Sequence, residues 1–190
     1  MADIEEKILA SEPLYEGKLV SLYRDTVQLP DGQQAFRETI KHPGAVAMVP
    51  LLPGGDVLLV RQYRTAAQKV LLEIPAGTLE PGEDPLEAAA RELREEIGYR
   101  PGKLVRLGAE YTAPGYTSEL IHLFLATELE SARLEGDADE FLEVVRLPLA
   151  EGLRRVVQGE ILDGKTQVAL LLTAHYLERD AETRASTDRK

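Results

Sequence analysis

The 190-residue chain contains no cysteine and no tryptophan. Without cysteine there is no disulfide, no thiolate metal site, no thiol nucleophile and no thiol redox switch. Aromatic residues make up only 5% of the chain, as seven Tyr and three Phe. A flat slot for a nucleobase therefore has few candidate walls. No run approaches the ~18 consecutive apolar residues of a membrane-spanning helix. The opening segment MADIEEKILASEP is acidic and lacks the apolar stretch of a signal peptide. A cytoplasmic location is the expectation. Cations are also scarce: 22 Lys+Arg face 33 Asp+Glu, a net charge of −11. Nonspecific nucleic-acid binding and docking on an anionic membrane both need a cationic surplus, so neither partner is expected. A small anionic substrate stays open, because a few arginines or a divalent cation can hold one.

What is present is globular. Hydrophobic residues reach 44% and charged residues 29%. A chain of this length can bury roughly 70% of its unfolded surface, so it needs no covalent staples. Strand-like runs at Lys18–Leu29 and Gln34–Lys41 flank Pro30-Asp31-Gly32, which predicts an N-terminal β-hairpin. Further runs span Ala45–Leu52, Asp56–Arg64 and Val70–Ile74. A helix then starts at Asp84, a good N-cap followed by Pro85 and with Glu87 three residues on. Its apolar stripe is Leu86, Ala89, Ala90, Leu93 and Ile97, and Gly98 stops it. Strands return at Lys103–Thr112, Leu120–Leu129 and Phe141–Leu147, and helices at Ala150–Gln158 and Thr166–Arg179. The pattern predicts an α+β fold with helices packed on a mixed sheet. The expected organisation is an N-terminal hairpin segment over residues 1–42, a main domain over 43–180 and a polar, frayed tail over 181–190.

The informative stretch is GTLEPGEDPLEAAARELREEIGY, residues 77–99. Glu92 and Glu96 are four apart and share a helix face, with Glu95 beside them. Like charges so spaced cost a helix about a few tenths of a kcal/mol per pair. A divalent cation would compensate, and Mg²⁺ favours hard carboxylate oxygens. Gly77 and Gly82 let backbone approach a ligand closely. On its own the pattern fits a solvated, charge-rich helix equally well.

The register of the whole stretch distinguishes the two. Gly77, Glu83, Arg91, Glu92, Leu93, Glu95, Glu96 and Gly98 resemble the Nudix box, with Tyr99 as the one departure, where an aliphatic residue is usual. The resemblance implies an α/β/α sandwich with a mixed sheet, and a loop–helix–loop that binds Mg²⁺ or Mn²⁺. It implies Glu92 and Glu96 as principal metal ligands, with Glu95 close by and the Ala76 carbonyl as a further ligand. Arg91 matches the residue that orients these carboxylates, and Glu83 is supportive.

Beyond the box, His42–Val46, Val60–Arg64, Leu72–Gly77 and Pro114, fifteen residues past Tyr99, resemble the ADP-ribose pyrophosphatase group. That resemblance spans roughly residues 36 to 170. It implies hydrolysis of ADP-ribose to AMP and ribose 5-phosphate. Arg37 and Arg64 match substrate-contacting arginines whose planar forks suit phosphate oxygens, and Arg61 is a weaker candidate. Surface-strand charge is the alternative for each. Glu140, on the acidic loop 135–140, is expected as catalytic base or additional metal ligand, and Glu95 is the other box candidate for the base. Glu119 is expected near the terminal ribose and Tyr23 near the adenine, although Tyr23 and Phe36 also fit a core. A homodimer that exchanges its N-terminal segment is implied. His42, His122 and His175 read as packing or surface residues. Two other functions stay open: cleavage of another nucleotide sugar such as GDP-mannose, and non-catalytic sensing of ADP-ribose.

Overall fold

The computed structural model describes residues 4–135 and 141–187. The chain divides into two compact units: Met1–Gly44 with Tyr111–Leu120, and Ala45–Glu110 with Ile121–Lys190.

The first unit is a three-stranded antiparallel sheet of β1 (Lys7–Glu16), β2 (Ser21–Gln28) and β3 (Gln34–Lys41), with β2 in the middle. The hairpin expected from Pro30-Asp31-Gly32 is the β2–β3 pair. Its turn is stitched by Gly32 N donating to Leu29 O at 2.9 Å, and Gly32 takes φ +87°, a conformation that favours glycine. Strand β1 extends the expected hairpin to three strands. All ten of its residues are exposed, so it carries no buried–exposed alternation for a sequence reading to find. Residues 111–120 attach to the end of β3: Ile40 N donates to Tyr116 O at 2.7 Å and Ser118 N to Ile40 O at 2.9 Å.

The second unit holds two sheets and three helices. One sheet has the order β10 (Glu143–Pro148), β5 (Asp56–Arg64), β6 (Lys69–Glu73). The other has the order β7 (Ala76–Thr78), β4 (Ala45–Pro50), β9 (Leu120–Ser131), β8 (Tyr99–Tyr111). It is mixed, because β4 runs parallel to β9 and antiparallel to β7. The helices are α1 (Pro85–Glu96), α2 (Leu149–Val157) and α3 (Gly164–Thr187). Helix α3 runs on to Thr187, past the expected end at Arg179 and into the segment read as a frayed tail.

Every residue of β4 is buried, as expected of a strand covered on both faces. Its alternate side chains enter two different cores. Ala45, Ala47 and Val49 pack with Val57, Leu59 and Leu123 and with Ala169 and Leu170 of α3. Val46 and Met48 pack with Leu58, Val60 and Phe124 and with Ala88, Ala89 and Leu93 of α1. Helix α1 thus covers one face and α3 the other, in three layers. Small Ala88 and Ala89, both fully buried, let α1 sit close to the sheet. Truncating Leu93 in this interface would cost about 2–5 kcal/mol.

Candidate active site

The site is built where β6, β7 and α1 follow one another. Asp84 caps α1, its Oδ1 accepting from Leu86 N at 2.8 Å, and Pro85 occupies the first turn, where a missing N–H costs nothing. The helix ends at Ile97, and Gly98 turns the chain away at φ +76°. Because Ala88, Ala89 and Leu93 fix one face of α1 in the core, the acidic face is held towards the β7 backbone.

Arg91 organises that face. Its Nε donates to Glu83 Oε1 at 2.9 Å and its Nη2 to Glu83 Oε2 at 2.9 Å. Its Nη1 donates to Glu92 Oε1 at 2.7 Å and to Glu95 Oε2 at 3.0 Å. One planar cation therefore binds three carboxylates, geometry that only a guanidinium supplies. The Arg91 bonds hold Glu83 below the usual carboxylate range, and the same acids hold Arg91 firmly protonated. Glu83 Oε2 also accepts from Glu80 N at 3.0 Å, which closes the loop ahead of the helix.

Glu92 is only 8% exposed and lies against Gly77 of β7. A methyl group on Gly77 would fall 1.9 Å from Glu92 Cδ, so bare backbone is the condition for this carboxylate's position. Glu96 accepts from Ala76 N at 3.3 Å. Two carboxylates one turn apart on α1, Glu92 and Glu96, thus lie against the backbone at Ala76–Gly77, with Glu95 tied beside them through Arg91, a set of hard oxygens of the kind Mg²⁺ or Mn²⁺ prefers. Among the described residues, no three acidic or histidine side chains stand together in the geometry of a metal site. Glu92 and Glu95 each give an oxygen to Arg91, and Glu96 gives one to the Ala76 amide.

The candidate arginines have different surroundings. Arg64, at the end of β5, donates from Nε and Nη2 to both oxygens of Glu73, each at 2.8 Å. Glu73, at the end of β6, is 1% exposed. Burial pushes its carboxyl up, but the Arg64 bonds and the charge of Lys165 outweigh this and hold it low. Lys165 Nζ donates to Glu73 Oε2 and, at 2.9 Å, to Asp163 Oδ1. Asp163 and Glu96 both act electrostatically on Arg64, which links this cluster to the carboxylate helix. Arg61 instead makes an exposed ion pair with Glu143 at 2.8 Å across the β5–β10 ladder, the arrangement of ordinary surface charge.

Arg37, Tyr23, Pro114 and Glu119 belong to the other unit. Arg37 pairs with Glu6 and donates to Phe36 O at 3.0 Å. Tyr23 carries Lys41 Nζ over its ring at 3.8 Å. Pro114 sits in a tight turn in which Ala113 O accepts from Tyr116 N and Thr117 N, both at 3.0 Å. Glu119 accepts from Thr112 Oγ1 at 2.8 Å and lies 3.7 Å from His42 Nε2. Glu140 lies outside the described residues.

Glu73, Lys165 and Asp163 were not singled out by sequence reasoning. Only one signal for them exists there: Asp163 ahead of the last helix is a good cap, and its Oδ2 accepts from Thr166 N at 3.0 Å.

An Arg-clamped carboxylate helix against bare strand backbone, in a three-layer α/β/α domain, defines a Nudix hydrolase. The family model described as "NUDIX domain" matches residues 41–173, and "Nucleoside diphosphate sugar hydrolase N-terminal domain" matches residues 6–40. The chain belongs to the Nudix family. It is 43% identical over 172 residues to the ADP-ribose pyrophosphatase of Bacillus subtilis (strain 168), covering 90% of this chain and 93% of that one. It is 40% identical over 168 residues to the methanol dehydrogenase activator of Bacillus methanolicus, covering 87% and 91%. A crystal structure of an ADP compounds hydrolase superposes with a TM-score of 0.79 at 27% identity, covering 93% of this chain and 96% of that one.

Proposed function

We propose that this protein hydrolyses the pyrophosphate bond of ADP-ribose, with water, to AMP and ribose 5-phosphate, and that it requires Mg²⁺ or Mn²⁺. The observation that carries the reading is the Arg91-clamped acidic face of α1 beside Gly77. The 43% identity to the ADP-ribose pyrophosphatase of Bacillus subtilis narrows it to ADP-ribose.

Glu92, Glu96, Glu95 and the Ala76 carbonyl are the groups that would hold the cation. When bound, a divalent cation eases loss of a proton from water and screens the charge of the phosphates. Arg91 keeps the carboxylates in place and limits their mutual repulsion. Arg64 offers its guanidinium to the diphosphate, with Arg61 as a lesser contributor. Arg37 is assigned with Arg64 to the substrate phosphates, Tyr23 to the adenine, Glu119 to the terminal ribose, Pro114 to a substrate contact, and Glu140 to deprotonation of water or to an additional metal contact.

We assign the working form to a homodimer that exchanges its N-terminal segments. Supporting this, the large apolar side chains of Ile8, Leu9, Leu14, Tyr15 and Phe36 are exposed on the β1–β2–β3 unit. We place the enzyme in the cytoplasm; among the described residues, no helix is long and apolar enough to cross a membrane.

The test is product analysis across ADP-ribose, ADP-glucose, GDP-mannose and NADH with Mg²⁺ or Mn²⁺. AMP and ribose 5-phosphate in equal amounts from ADP-ribose are expected. Preference for GDP-mannose would move the substrate, and tight ADP-ribose binding without turnover would make the protein a sensor.

A further inference from the structure

The cluster around Glu73 has more members than its burial alone requires. Glu73 is 1% exposed and receives three hydrogen bonds, two from Arg64 and one from Lys165. Arg64 alone would neutralise its charge. Lys165 reaches it from the first turn of α3, ninety-two residues away, and its side chain is only 10% exposed. Burying an ammonium is costly unless it is paired, so its presence needs a reason.

The neighbouring charges supply one. Arg64 is surrounded by three acids: Glu73 in direct contact, with Asp163 and Glu96 acting on it at longer range. Without Lys165, these three acids would face a single guanidinium. With Lys165, Asp163 is paired at 2.9 Å and one oxygen of Glu73 is shared. Glu110 also faces the ammonium; burial raises its pKa, the Asp163 charge adds to the rise, and Lys165 opposes it. Arg64 uses Nε and Nη2 for Glu73, which leaves Nη1 outside that fork, and its side chain is 38% exposed.

We propose that Lys165 is a positioning residue for diphosphate recognition: it takes up the charge of Glu73 and Asp163 so that Arg64, held in place by Glu73, keeps a net positive face for an anionic substrate. This rests on the reading above that Arg64 meets the substrate diphosphate. Lys165 itself touches no substrate. A second tie from the same helix start holds the strand end independently: Thr166 Oγ1 accepts from Ile74 N at 2.8 Å. Loss of the ammonium therefore acts on charge more than on backbone position.

The test compares wild type, Lys165→Met, Lys165→Arg and the double variant Asp163→Asn/Lys165→Met, which leaves the Glu73–Arg64 fork intact. Binding of inorganic pyrophosphate at fixed Mg²⁺ is measured by calorimetry, beside kcat and KM for ADP-ribose and the melting temperature. Lys165→Met is expected to weaken pyrophosphate binding about tenfold, the scale of one nearby charge acting through an effective dielectric near 20. KM rises in step and kcat holds. Lys165→Arg and the double variant are expected within about threefold of wild type, since each restores the charge balance around Arg64. A merely structural role would lower the melting temperature without this pattern of rescue.

Unchanged pyrophosphate affinity in Lys165→Met would overturn the inference, as would a double variant no better than the single one. If Lys165→Met does not fold, the double variant decides alone, with wild-type affinity supporting the inference and a tenfold loss overturning it. Failure of the wild type to bind pyrophosphate also overturns it. Wild-type pyrophosphate binding without hydrolysis of ADP-ribose would instead sink the substrate assignment and leave this inference standing.

Discussion

Gly77→Ala separates folding from chemistry at a single atom. The Gly77 backbone lies outside the positive-φ region, so alanine introduces no strain there. The new methyl group would stand 1.9 Å from Glu92 Cδ and 2.0 Å from Glu92 Oε1. Ordinary contact begins near 3.4 Å, so the carboxylate must retreat by about 1.5 Å. The atoms that move are the end of a flexible side chain, not backbone. A stability loss of about 1 kcal/mol follows, a fall in Tm of roughly 2–4 °C for a chain of this size, partly offset by the lower unfolded-state entropy of alanine. The chemistry is far less tolerant. Metal–ligand distances hold to within about 0.2 Å, and a 1 Å misplacement near a reacting centre costs about 10²-fold. We expect kcat/KM for ADP-ribose to fall about 10²-fold, close to 2.7 kcal/mol of transition-state stabilisation. The assay is AMP release under saturating Mg²⁺, paired with calorimetric Tm. Gly108→Ala is the control, because its methyl would meet only Leu172 Cδ1 at 4.0 Å. Activity within threefold of wild type in a folded Gly77→Ala protein would refute the placement of Glu92 in the machinery.

Glu96→Gln should raise the Mg²⁺ concentration for half-maximal rate at least about tenfold with little change in Tm, since it removes one hard ligand while relieving like-charge repulsion; a metal titration of initial rates reads this. Arg91→Lys cannot reproduce the fork that ties Glu83, Glu92 and Glu95, so a loss of about 1–3 kcal/mol in urea unfolding and a fall in kcat are expected together. The folded pKa values of Glu73 and Glu83 lie below the 4.5 of a free glutamate. Their contribution to stability is therefore complete above about pH 4.5 and is lost as pH falls through the lowered folded values, so Tm should decline below that point and Glu83→Gln should flatten the decline.

The legible parts of this protein are those whose causes lie close together in sequence. Asp84, Pro85 and Gly98 bracket α1 within a residue of its observed ends, because caps act locally. The β2–β3 hairpin follows from Pro30-Asp31-Gly32, and β5 from a run bounded by turns. Strand β1 escaped because all ten of its residues are exposed and Pro13 sits inside it. Strand β7 escaped because three residues after a proline carry no period. The acidic helix face could be read from its spacing, but not the fact that Arg91 would hold three acids at once. The Glu73–Lys165 contact joins residues ninety-two apart and obeys no local rule at either end. Arg61 and Arg64 lie three apart in VRQYR, and spacing alone does not say how their surroundings differ. They diverge because Arg64 meets a buried acid, whereas Arg61 meets exposed Glu143.

Strand β4 feeds alternate side chains into two cores that meet only through the sheets. Val46 and Met48 support the helix that carries the Arg91-clamped acids, while Ala47 and Val49 support the side on which α3 packs. The sheet therefore works as a bulkhead. A substitution at Val49 is absorbed on the α3 side and one at Met48 on the α1 side, although the two residues are neighbours in sequence. Hydrogen exchange in Val49→Ala and Met48→Ala would make this visible as two separate patches of lost protection.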